Sequence, residues 1–157
     1  DMYGGFTINR GSSDGLSLND PVITSAGLVG RVTEIAPNYA RVSTLLSPQV
    51  NVGVFSMRSR ATGVLENDVT TAEKGLCLMS NILKEADIRV GDIVATSGNS
   101  GLFPEGVVVG TVRELYDDPN GLSRHAIIEP IVNCFDVTDV FAIVEFDGKG
   151  LSFDAGE

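Results

Sequence analysis

The sequence predicts an all-β protein of two related β-units with very little helix, and three observations carry that prediction. Apolar residues alternate at the strand period almost throughout, as Val50, Val52 and Val54 do around Asn51 and Gly53. Turn formers, 18 glycines among them, break these runs roughly every 8–12 residues, which fits small barrels or a sandwich. Third, the chain echoes itself. Leu18-Asn19-Asp20-Pro21-Val22-Ile23-Thr24-Ser25 is matched by Val90-Gly91-Asp92-Ile93-Val94-Ala95-Thr96-Ser97, an offset of 72. Gly30-Arg31-Val32-Thr33-Glu34-Ile35 is then matched by Gly110-Thr111-Val112-Arg113-Glu114-Leu115, an offset of 80, so the second copy carries eight extra loop residues.

The elements follow in order. The chain opens abruptly at Asp1-Met2-Tyr3, close to strand-like sequence, and reads as a piece of something longer. Ser13-Asp14-Gly15 and Pro37-Asn38 are turns, and the run around Val52 is a strand. The segments 81–86 and 134–140 each suit a turn or two of helix. Residues 107–115 are rich in β-branched residues, and 126–128 and 141–146 are further strand candidates. Gly98-Asn99 and Asp117-Asp118-Pro119-Asn120-Gly121 are turns. The echo divides the chain into a first unit, 1–62, and a second, 63–147, with 148–157 expected to be a disordered tail.

With 157 residues, the chain is one ordinary domain or two very small ones. Halves of about 75 residues bury only about 60% of their surface alone, so they gain by packing on each other. The net charge is −10, which argues against nucleic acid, because phosphate binding needs clustered Lys and Arg. Residues 1–62 carry a net +1, all five basic groups being arginines (Arg10, Arg31, Arg41, Arg58, Arg60), and residues 63–157 carry −11. That asymmetry suggests a first unit facing anionic lipid or a partner. Cys77 and Cys134 stand apart in apolar runs and read as buried thiols rather than a zinc site, with a disulfide between them the alternative that spacing does not decide. There is no run of 18 apolar residues to cross a membrane.

Catalytic readings fare poorly. Gly98-Asn99-Ser100-Gly101 resembles the nucleophile loop of trypsin-like proteases, so a hydrolase using Ser100 is the alternative function. Yet the only histidine, His125, follows the serine by 25 residues instead of preceding it. His125 reads as a partly exposed strand residue, and the acidic turn at 117–121 as a solvated hairpin tip. No Gly-rich loop precedes a helix, so no cofactor is expected. A binding or structural module remains.

The residues then point to a family. Phe6-Thr7-Ile8-Asn9-Arg10-Gly11-Ser12-Ser13-Asp14-Gly15-Leu16, Asp20–Thr24 and Gly27–Val32 resemble the entry of the bacterial rod shape-determining protein MreC family. Arg60–Glu66, Val90–Gly98, Gly101-Leu102-Phe103-Pro104-Glu105-Gly106 and Gly110–Val112 continue the pattern, in order, over about residues 6–146. The resemblance implies two small β-barrels, distantly like trypsin barrels, preceded by a cytoplasmic tail, one transmembrane helix and a coiled coil that this chain would lack. It implies the extracytoplasmic side of the bacterial membrane, and a single-pass protein when full length. It also implies a non-enzymatic scaffold of the cell-elongation machinery that tunes peptidoglycan synthesis. The scaffold would self-associate as a dimer or filament, bind MreD and a class B penicillin-binding protein, and connect indirectly to MreB.

The candidate contacts are Leu102, Phe103 and Pro104, an apolar trio on the expanded loop, with Arg31, Arg58 and Arg60. Exposed sheet edges offer a second route to association.

Overall fold

In the computed structural model, residues 3–151 are described. The strands are β1 (Phe6–Ile8), β2 (Pro21–Ile23), β3 (Leu28–Ile35), β4 (Ala40–Thr44), β5 (Val52–Ser56), β6 (Thr62–Leu65), β7 (Cys77–Leu83), β8 (Ile93–Thr96), β9 (Val108–Asp117), β10 (Ser123–Pro130) and β11 (Phe141–Ala142). β5 to β10 close a six-stranded barrel in the order β10-β7-β6-β5-β8-β9, and the rest form a five-stranded sheet in the order β1-β4-β3-β2-β11. Neighbours pair antiparallel throughout. The all-β class is thus as expected, with one barrel closed and the other left as a half-barrel.

Alternation explains the cores. Along β4, Ala40, Val42 and Thr44 are buried while Arg41 and Ser43 are half-exposed. The barrel fills with Val52, Val54, Leu65, Met79, Ile82, Val94, Val109, Val112 and Ile128. Leu28, Leu45 and Leu46 join this cluster from β3 and the turn after β4, so the half-barrel and the barrel share packing. A smaller core of Val22, Val29, Val32, Ala40 and Val42 lies under the open sheet, and Val137 and Val140 pack on it.

The echo is a structural duplication, bond for bond. In the first copy Ser17 N–H donates to Asp20 Oδ2 (2.9 Å), and in the second Arg89 N–H donates to Asp92 Oδ2 (3.0 Å). Val32 N–H donates to Asp20 O (3.0 Å) as Val112 N–H does to Asp92 O (2.9 Å). Asn19 and Gly91 occupy the same left-handed position, with φ of 74° and 95°. The β2–β3 ladder slips between Val22 and Ile23, and the β8–β9 ladder slips at the matching place between Val94 and Ala95. At Gly30 a Cβ would lie 1.8 Å from Ser43 O, and at Gly110 2.1 Å from Glu129 O, so both copies need glycine for close strand approach.

Four expectations change. The division at residue 62 moves, because β5 pairs with β6 and β8 inside the barrel while β11 returns to β2. The chain therefore starts in the open sheet, completes the barrel and comes back. The segment 81–86 is the end of β7 and a turn, and 134–140 forms turns. The α-helix present, α1 (Val69–Glu73), is five residues long and starts at Asp68, whose side chain accepts from Thr71 N–H at 2.9 Å. In the expected tail, residues 148–151 form a turn, with Gly150 N–H donating to Gly101 O at 2.9 Å, and residues 152–157 lie outside the described residues. Cys77 and Cys134 are free, buried thiols. Burial pushes Cys134 up to about 11 and Cys77 well beyond its ordinary range.

Candidate interaction surface

A closed barrel has no edges to offer, whereas the half-barrel has two. Among the described strands, β1 pairs only with β4 and β11 only with β2. Between these edge strands runs a groove of about 760 Å³, lined by Ile8, Leu16, Val22, Val140, Phe141 and Ala142, with Arg10 and Asp139 at its polar margin. Phe141 is 60% exposed. Its backbone sits opposite Ile23, anchored further by Ile143 N–H donating to Pro21 O at 2.8 Å. Leu16, Val22 and Val140 belong to the small core, so the groove opens onto that core where the sheet stops. An aromatic ring held on a short edge strand over an apolar floor is the arrangement of a protein-contact anchor.

The residues singled out from the sequence lie elsewhere. Phe103 is 2% exposed and belongs to the barrel core: the expanded loop folds its ring back into its own barrel. Pro104 turns its carbonyl inward to accept from Thr96 Oγ1 at 2.5 Å. Leu102 alone of the trio stays largely exposed, at 41%.

The arginines are engaged within the chain. Arg58 Nε donates to Asp92 Oδ1 (2.8 Å) and its Nη1 to Asp87 Oδ2 (2.9 Å), clasping the β5–β6 hairpin to the turn before β8. Ser56 Oγ also donates to Asp92 Oδ2, at 3.1 Å. The Arg58 hydrogen bonds hold both carboxyls below the ordinary carboxylate range and raise the guanidinium further. Arg60 lies over the Phe55 ring, 4.5 Å from its centroid. Arg31 donates to Asn19 Oδ1 (2.8 Å) and to Gln49 O (2.5 Å), and burial lowers its pKa. Each of the three thus has a partner within the chain.

The former catalytic candidates have local partners as well. His125 stacks on Tyr116, with centroids 5.2 Å apart, and its Nδ1 lies 2.6 Å from Asp118 Oδ1. Ser123 and His125 hold the Asp118 carboxyl low, so this acidic turn is tied together internally. Ser100 Oγ accepts from Leu102 N–H at 3.3 Å. None of these contacts joins Ser100 to His125.

Comparison with known proteins decides the family. The family model of the rod shape-determining protein MreC, barrel core, matches residues 1–144. The chain belongs to the MreC family. It is 31% identical over 136 residues to the cell shape-determining protein MreC of Listeria monocytogenes, a match covering 85% of this chain and 45% of that protein. It thus spans less than half of that MreC relative. A solved MreC structure from the same organism superposes with a TM-score of 0.80 at 30% identity, covering 88% of this chain and 66% of the other. MreC in a complex between penicillin-binding protein (PBP2) and MreC from Helicobacter pylori shares the fold, with a TM-score of 0.66 at 20% identity over 82% and 76% of the two chains. Among the described residues, no helix is long and apolar enough to cross a membrane.

Proposed function

We propose that this MreC chain is the extracytoplasmic, non-enzymatic docking module of a cell-elongation scaffold, and that it binds a class B penicillin-binding protein through the groove between β1 and β11. One observation carries the reading: the half-barrel leaves two strand edges and an apolar groove with Phe141 largely exposed, while the rest of the β-structure is closed on itself. The complex formed by the Helicobacter pylori MreC with its PBP2 supports the choice of partner. The same edges suit pairing with a second copy, and contacts with MreD, with the link to MreB, would fall to parts of the full protein beyond this domain. Through such contacts the domain would tune peptidoglycan synthesis.

The test is equilibrium binding to the soluble ectodomain of the class B penicillin-binding protein from the same organism, with light scattering on the domain as control. The native chain should bind saturably. Phe141→Ser should weaken that binding at least tenfold while leaving the melting temperature within a degree or two, because the ring is mostly in solvent. Undiminished binding by Phe141→Ser would move the interface elsewhere.

A further inference from the structure

The two copies of the duplicated turn treat the same carboxylate differently. In the second, Asp92 receives a backbone N–H on Oδ2 and the Arg58 guanidinium on Oδ1. In the first, Asp20 receives the matching backbone N–H on Oδ2 from Ser17, but its Oδ1 accepts no hydrogen bond from any described residue. Asp20 is only 1% exposed. Burying a carboxylate oxygen without a donor is costly, and the second copy shows what satisfies it in this fold.

The position next to Asp20 is hollow. A cavity of about 220 Å³ is lined by Leu18, Asn19, Asp20, Pro21, Leu102 and Lys149, with glycines 101 and 150. Leu18 and Leu102 are exposed apolar walls, at 53% and 41%. Lys149 Nζ lies 3.7 Å from Asp20 Oδ1, beyond hydrogen-bond reach, and donates instead to Val144 O at 2.5 Å. Among the described residues, the segment bearing Lys149 reaches the β8–β9 loop through a backbone bond from Gly150 N–H to Gly101 O at 2.9 Å. A cation at ion-pair distance, without a hydrogen bond, therefore stands where the other copy has a bound arginine.

We propose that the Asp20 pocket is a socket for an arginine side chain of a partner polypeptide, which displaces Lys149 and closes on Asp20 as Arg58 closes on Asp92. A guanidinium fits better than an ammonium. Its planar fork reaches Oδ1 while its stem and face lie along Leu18 and Leu102. The pocket shares no lining residue with the groove between β1 and β11, so either reading can fail without the other.

The experiment is a titration of the 157-residue chain with N-acetyl-arginine amide, followed by backbone amide chemical shifts. N-acetyl-citrulline amide serves as the uncharged isostere. Saturable shifts are expected at Ser17, Asn19, Asp20, Lys149 and Gly150, with none at Arg89 or Asp92, whose carboxylate is already taken. Asp20→Asn should abolish them. Because that change touches a buried turn, Lys149→Met is the second variant: removing the competing ammonium should tighten arginine-amide binding about three- to fivefold, the scale of an exposed ion pair. Lack of saturation at tens of millimolar, equal shifts from the citrulline amide, or unchanged or weaker binding by Lys149→Met would each overturn the proposal.

Discussion

Replacing Phe103 with alanine tests the placement of the expanded loop most directly. The ring is 2% exposed and packs in the barrel core with residues such as Val94 and Val109 from the flanking strands. Truncating a buried phenylalanine costs about 3–5 kcal/mol, the lost transfer energy plus the cavity left behind. Against a total stability of roughly 5–15 kcal/mol, that is a third or more of the whole for most of the range. For a chain of this size each kcal/mol lowers the melting temperature by about 2–4 °C, so Phe103→Ala should melt roughly 6–20 °C below native. The assay is thermal unfolding by circular dichroism, with urea unfolding to check that the denaturant slope is unchanged. Partner binding, measured well below the melting point, should persist. A melting temperature within 2 °C of native, together with lost binding, would refute the reasoning and return Phe103 to the surface.

Two further outcomes follow from the turn chemistry. Arg58 depresses the Asp92 carboxyl from its ordinary 3.8, with Arg89 N–H and Ser56 helping, so this contribution to stability is present above about pH 4 and is lost as pH falls through the lowered native value. Urea unfolding between pH 2 and 6 should therefore show a shallower acid loss in Arg58→Met than in the native chain; identical slopes would remove the clasp from the acid response. Gly30→Ala and Gly110→Ala each push a Cβ into a backbone carbonyl, and should destabilise by similar amounts, about 1–3 kcal/mol or more. Urea midpoints for both variants check this, and a neutral effect at either site would break the equivalence of the two copies.

Much of this was legible residue by residue. Strand alternation depends on neighbours two apart, and a turn on four consecutive residues, so the runs at Val52 and 107–115 and the turn at Asp117–Gly121 could be read locally. The repeat was legible for the same reason: Asp20 and Asp92 each bond to a residue three positions earlier. Helix α1 escaped notice because five residues carry almost no periodic signal, although Asp68 is a sound N-cap. The burial of Phe103 was not legible, because an apolar residue on a loop looks the same from sequence whether it caps its own barrel or meets a partner. Phe141 was read as part of a strand, but nothing local says that its strand stops after two residues on an open edge.

By itself, then, the sequence determined the all-β class, the duplicated turn–strand–loop–strand unit and membership of the MreC family, since these rest on short-range spacing and ordered motifs. Tertiary structure decided which barrel closes, where the chain passes between the two bodies, and which charges are engaged. Arg58 meets Asp92 across 34 residues, and β11 reaches β2 only after the whole barrel has been laid down. Such contacts depend on how sheets curl and on which edges meet, and no local pattern along the chain records that.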